Sequence, residues 1–200
     1  MFSKQGVVKF DSFCEYEQKQ FQGALWLKIF DHNNNAGTVV FANQAEALLS
    51  TTEDKFSRLC LLSNLKSSDG KYEFLLEYPD DRLGQYNRWI QTSNPTVDSI
   101  AGYTAIHIDW AESSWGGLAP STSTTRTFID GSPGAGSWWY AIGAYTKYTD
   151  GGKTGIPGNS PPSVTGRAQL WVRIDNVANP KLNLQITKSN DIISNEFYEN

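Results

Sequence analysis

The chain has 200 residues, of which 39% are hydrophobic, 13% aromatic and 19% charged, and its formal net charge is −4. That length fits one large domain or two small ones and suffices to bury a core without disulfide staples. The acidic balance excludes a general nucleic-acid binder, which needs a basic stripe to displace phosphate counterions, and no apolar stretch approaches the ~20 residues that span a bilayer.

Residues 1–23 are polar, with Val7, Val8, Phe10, Phe13 and Phe21 as apolar anchors, and read as a strand or connecting arm packed on the body. Their opening, Met1 to Gly6, lacks the apolar centre of a secretory signal. Residues 24–30 (Ala-Leu-Trp-Leu-Lys-Ile-Phe) predict a strand, ending in the Asx- and Gly-rich turn at residues 31–37. Residues 38–41 then predict the return strand of a hairpin. Residues 43–65 form the one helical region. Asn43 caps a short helix through Leu49, and Thr51 or Thr52 caps a second, with Glu53 and Asp54 in its first turn. Phe56, Leu59, Cys60 and Ser63 fall on one face of that second helix. Residues 67–70 are a turn before a strand at residues 71–78, which Pro79 closes.

From residue 84 the helical period disappears and short strands alternate with Gly- and Ser-rich turns. The predicted strands are residues 86–91, 103–110, 125–130, 138–148 and 169–175, with long loops at 111–124, 131–137 and 149–166. No internal repeat or clear linker divides the chain. The expectation is a mainly β fold: an antiparallel β-sandwich, jelly-roll or lectin-like, with a helical insertion around residues 43–65. An arm (1–23) precedes the domain (24–175), and an extension (176–200) follows it.

Chemistry-bearing residues are sparse. There are two cysteines, Cys14 and Cys60, which read as buried free thiols, a disulfide between them being the alternative. No Cys/His cluster suggests zinc. His107 and Asp109 alternate onto one strand face and could orient a general base, but no nucleophile motif accompanies them, so a solvated pair is the simpler reading. Glu73 with Glu77, Asp80 with Asp81 and Asp109 with Glu112 are the carboxylate pairs a glycosidase would need; charged sheet edges account for all of them. No cofactor is expected. Calcium is the one alternative: Asp31 to Asn35 opens like an EF-hand loop, but Gly37 is one place late and Ala42 replaces the bidentate Glu. Asp130-Gly131 and Asp150-Gly151-Gly152 could serve a looser calcium site, although turn chemistry explains them.

A string in the distal half carries a resemblance: Tyr86-Asn87-Arg88-Trp89, Gln91-Thr92-Ser93-Asn94-Pro95, Trp115-Gly116-Gly117-Leu118, Trp138-Trp139-Tyr140-Ala141-Ile142-Gly143, Gly155-Ile156-Pro157-Gly158 and Leu170-Trp171-Val172-Arg173-Ile174. It resembles a module of large extracellular adhesins and of bacteriophage tail-fibre-type proteins, covering about residues 24–175. The resemblance implies a non-enzymatic recognition module. With no signal segment expected, it implies a virion-associated receptor- or glycan-binding protein, as a fibre tip or capsid decoration. Its partners would be a cell-surface glycan or receptor, other virion subunits and its own copies.

Seven Trp, nine Tyr and ten Phe are more than one core of this size needs, and Trp and Tyr are common at binding surfaces. Sugar faces would stack on exposed rings while Asn, Asp and Gly loops bind the hydroxyls. The candidate residues are Trp89, Asn94, Trp115, Asp130, Trp138 and Tyr145, for each of which a place in the core is the simpler reading. The competing expectations are a purely structural virion assembly protein and, third, a glycan-active hydrolase. The terminal segments carry spaced apolar side chains, which predicts that they dock the domain onto another subunit.

Overall fold

In the computed structural model, residues 6–9, 15–35, 39–80, 84–123, 125–131, 139–146 and 165–175 are described. Cys14, Asp81, Trp138, Asp150, residues 147–164 and the extension 176–200 lie outside them.

The expected fold class is what the chain adopts: mainly β, antiparallel, with few short helices. Three strands open it: β1 (Gly6–Lys9), β2 (Glu15–Phe21) and β3 (Ala24–Asn33). The short helix α1 (Gln44–Leu48) and the small strands β4 (Ser50–Thr51) and β5 (Lys55–Ser57) follow. Next come a 3₁₀ helix (Leu59–Asn64), β6 (Tyr72–Glu77), β7 (Tyr86–Gln91) and β8 (Thr104–Ile108). The remaining strands are β9 (Ala119–Pro120), β10 (Thr127–Asp130), β11 (Ile142–Ala144) and β12 (Arg167–Arg173).

Among the described residues the large sheet runs β1-β2-β3-β12-β6-β7-β8, with β5 also along β3 and β4 beside β5. A smaller sheet has the order β11-β10-β9, and every pairing in both sheets is antiparallel. The last described strand, β12, inserts at the centre between β3 and β6. Both of its edges are therefore paired. Both faces are covered as well, Leu170 and Val172 lying in the main core and Trp171 in a smaller cluster opposite, which is why Leu170-Trp171-Val172 reads as an unbroken apolar run.

Alternation along the central strands divides the apolar side chains between two faces. Leu25, Leu27 and Ile29 of β3 join Phe74 and Leu76 of β6, Trp89 of β7 and Leu170 and Val172 of β12 in the main core. The small sheet closes this face through Phe128, Ile129 and Ile142, together with α1 and the 3₁₀ helix, so the packing is sandwich-like. Each fully buried aliphatic or aromatic side chain contributes about 1.5–3 kcal/mol. Ala24, Trp26, Leu75 and Trp171 form a smaller cluster on the opposite face. It is overlaid by ion pairs: Lys19 with Glu77, and Glu73 with both Arg88 and Arg173. Lys19 Nζ lies 4.1 Å from the Trp171 ring, a cation–π contact.

A bulge in β3 reassigns its second half. Leu170 faces Phe30 and Trp171 faces Lys28, so Ile29 is the extra residue. Ile29 and Phe30 then both enter the main core, and Asp31 emerges on the same face as Lys28. Two residues three apart on an unbroken strand would lie on opposite faces.

Four expectations are corrected. The turn expected at residue 31 is delayed, because β12 pairs with β3 as far as Asn33. Residues 39–41 form no return strand, since β12 and β5 already occupy both edges of that part of β3. Phe41 instead enters the core and donates its N–H to the Ala144 carbonyl at 2.8 Å. The second α-helix is absent: residues 55–57 pair with β3 as a strand, and only residues 59–64 coil, as a 3₁₀ helix. Its three-residue period buries Leu59, Leu62 and Leu65 and turns Cys60 outward, so that thiol is exposed rather than buried. By contrast, Asn43 caps α1 as expected, its side chain accepting from Glu46 N–H at 3.1 Å.

Candidate functional site

The six candidate residues fall in three places. Trp89, Trp115 and Asp130 converge on the interior. Trp89 is fully buried, its indole N–H donating to Gln91 Oε1 at 2.9 Å, and its ring meets Trp115 edge-on at 4.9 Å. Trp115 continues to Tyr140 at 4.6 Å and donates its own N–H to Tyr103 Oη at 3.0 Å. Asp130 is 1% exposed. The next residue, Gly131, lies so close to the Trp115 ring that an added Cβ would stand 2.7 Å from it. This ladder supports the loops and presents no ring face to a ligand at Trp89. Trp138 lies outside the described residues.

Tyr145 lines a different region, an open groove of about 530 Å³ between α1, the small sheet and the loop after β7, and Asn94 lies behind its wall rather than in it. Such a volume lies within the range of ligand sites. Four local devices shape it. Asn94 Oδ1 accepts from the N–H and the hydroxyl of Thr96 at 3.0 and 2.8 Å, folding the loop into an Asx turn that sets Thr96 in the wall. Tyr145 N–H donates to the Arg126 carbonyl at 2.7 Å, fixing the tyrosine just beyond β11. Ser121 N–H donates to Phe128 O at 2.9 Å and extends the wall along β9. Gly143 sits at φ +71°, where an added Cβ would be 2.9 Å from Ala47 Cβ, so α1 rests directly on β11.

Among the described residues the wall has ten, all uncharged. Phe128, Pro120 and Ala42 supply apolar surface, and Tyr145 adds a half-buried ring whose pKa is raised by burial, keeping the phenol protonated. Asn43 spends its Oδ1 on capping α1, which turns its Nδ2 into the group available as a donor. Thr96 spends its hydroxyl proton on Asn94 and retains lone pairs as an acceptor. Gln44 is exposed and offers both amide groups.

No family model, curated protein or solved structure matches the chain.

The remaining titratable groups are arranged differently. His107 Nε2 is 3.1 Å from Asp109 Oδ1, so alternation does bring this pair together. The histidine also stacks on Tyr86 at 4.3 Å, and Asp109 Oδ2 accepts the Tyr86 N–H at 2.7 Å. His107 lies on β8, the edge strand of the sheet among the described residues, and Asp109 just beyond it; neither lines the groove. Glu73 and Glu77 share a face as the alternation implies, but each is held by cations. Asp31 accepts from Lys28, Gln169 and, through both oxygens, Arg167. Burial alone would raise its pKa; the Arg167 hydrogen bonds and the Lys28 charge outweigh that and hold it below the usual carboxylate value. Its neighbourhood is thus a saturated ion network inside the sheet, not the start of a calcium loop. Among the described residues no three His, Cys, Asp or Glu side chains gather as a metal site. No helix there is long and apolar enough to cross a membrane.

Sequence reasoning reached Tyr145 and, through its turn, Asn94. It treated Asn43 only as a cap and passed over Gln44, Thr96 and Ser121. Those residues come from separate segments, and no local motif links them.

Proposed function

We propose that this chain is a non-enzymatic recognition domain that binds carbohydrate in the groove bounded by α1, Thr96 and Tyr145. The observation that carries this reading is the composition of the groove wall: an aromatic ring and apolar surface interleaved with amides and hydroxyls. A sugar has the matching character, with apolar C–H faces and hydroxyls that both donate and accept. The setting we propose is a virion surface, as a fibre tip or capsid decoration, on the strength of the resemblance to adhesin and tail-fibre modules.

A glycan array probed with the folded protein tests this, followed by titration of the best ligand into Tyr145→Ala. Loss of the ring should weaken binding at least tenfold while leaving the fold intact. Folded protein that binds no glycan would overturn the reading.

One observation favours the assembly alternative. The edge strand β8 is exposed along most of its length, and Ile106 is 45% exposed on it. Light scattering that finds a stable oligomer, together with a silent array, would select assembly.

A further inference from the structure

We propose that His32 is a latch: its neutral imidazole holds residues 39–41 as a strap across the end of β3, and proton uptake by the ring releases them. The inference stands whether or not the groove binds sugar. Residues 39–41 form no strand, so their backbone groups are met one at a time. His32 Nε2 donates to the Val39 carbonyl and Asn34 Oδ1 accepts the Val39 N–H, both at 2.8 Å. Phe41 N–H donates to the Ala144 carbonyl at 2.8 Å. The Phe41 ring packs edge-on to the imidazole at 5.1 Å, and both rings are fully buried. Beyond the strap the chain enters the groove wall at Ala42, Asn43 and Gln44. Ala42 N–H donates to Glu46 Oε2 at 2.5 Å and hinges the strap on α1.

A carbonyl can only accept, so the neutral ring carries its proton on Nε2 and a second proton must go to Nδ1. Nδ1 is buried and meets no hydrogen-bond partner among the described residues. Charges face the ring from the elements around it. Asp31 on β3 and Asp54 just before β5 favour the imidazolium, and Lys55, paired with His32 across β5, opposes it. On β12, Ala168 lies opposite His32, and Arg167 beside it is engaged with Asp31. On α1, Glu46 holds Lys55 Nζ at 2.5 Å. The strap residues Val39, Val40 and Phe41 carry no charge. Burial outweighs the Val39 hydrogen bond and the two aspartates, and lowers the pKa of the ring to about 4. Lifting Val39 and Phe41 away returns the ring to water, where it takes its proton near pH 6.5. Opening is therefore favoured as the pH falls from 6.5 toward 4. The Lys55 hydrogen bond and the Ala42 N–H hold the Glu46 carboxyl below its usual value, so the hinge stays clasped over most of that range.

The test is amide hydrogen exchange in the wild-type chain at pH 7.5 and pH 5, with the intrinsic rate divided out. Protection at Val39 and Phe41 should fall roughly 30-fold over that interval, the bias given to opening by a ring that titrates near 6.5 when open and about 4 when closed. At both pH values it should stay below the protection of Leu170 and Val172 in β12, the mark of a local opening. Protection that does not change with pH, or that equals that of Leu170 and Val172 because the strap opens only with the whole fold, would overturn the latch. The His32 ring, followed by NMR in the same sample, should titrate near pH 4; a midpoint near 6.5 would show a ring already open to water and would overturn the latch equally. In His32→Gln, which keeps a donor for Val39 and cannot titrate, the pH dependence at Val39 and Phe41 should vanish. Its persistence in the folded variant would overturn the assignment to His32.

Discussion

Replacing Asp31 by Asn removes the one charge on which Lys28, Arg167 and Gln169 converge. The carboxylate is 3% exposed and accepts at 2.9 Å from Lys28, at 2.8 Å from each of two Arg167 nitrogens and at 2.8 Å from Gln169. The amide keeps the volume, loses the charge and turns an N–H₂ toward donors. Breaking a buried ion pair from one side costs about 3–5 kcal/mol. Two features set the expectation near the lower end. Arg167 is 32% exposed and can rehydrate, and Lys28 retains its contact with Glu17. We expect a loss of about 3 kcal/mol, read as a lower urea midpoint with an unchanged slope. A double-mutant cycle with Arg167→Met should return a coupling above about 1 kcal/mol. A loss in Asp31→Asn below about 1 kcal/mol would refute the view that this network holds β3 to β12.

His32 predicts an acid-labile core. It is 1% exposed, its Nε2 lies 2.8 Å from the Val39 carbonyl, and Phe30 and Phe41 flank the ring. Burial lowers its pKa to about 4, although the Val39 hydrogen bond opposes the shift. The unfolded chain takes up the proton near pH 6.5, so His32 contributes its full stability above that pH. This contribution falls by about 3 kcal/mol as the pH drops from 6.5 to 4. Urea midpoints at pH 7.5 and 4.5 should diverge in the wild type and less in His32→Gln; equal divergence in both would reject the assignment. Gln91 is fully buried and joins Trp89 Nε1, Leu118 N–H, Leu118 O and Ser93 O, at 2.9 to 3.0 Å. Gln91→Leu should cost about 3 kcal/mol or more, because several buried polar groups lose their partner, and should speed amide exchange at Leu118. Unchanged exchange there would show that the loop does not depend on Gln91. Gly143→Ala should destabilise by about 1–3 kcal/mol, since φ +71° is strained and the new methyl meets Ala47. A shift below about 0.5 kcal/mol would mean that α1 moves aside freely.

What the sequence by itself determined follows from short-range physics. Alternation and apolar runs located β6, β7 and β12 to within a residue or two at their ends, because a strand's side-chain period is intrinsic to its backbone. Asn43 marked the start of α1, because a cap is a contact between residues three apart. The tertiary structure alone decided the rest. Residues 55–57 became a strand because β3 had an edge to fill, and a long-range ladder overrode the local helix signal. The period of three that buries Leu62 and exposes Cys60 followed from how the next turn had to pack. Lys28 and Asp31 meet only because pairing with β12 forces a bulge at Ile29, which no period-two reading contains. The groove is the extreme case: Asn43, Thr96, Ser121 and Tyr145 span about half the chain, and only the packing of α1 and the small sheet makes them one surface.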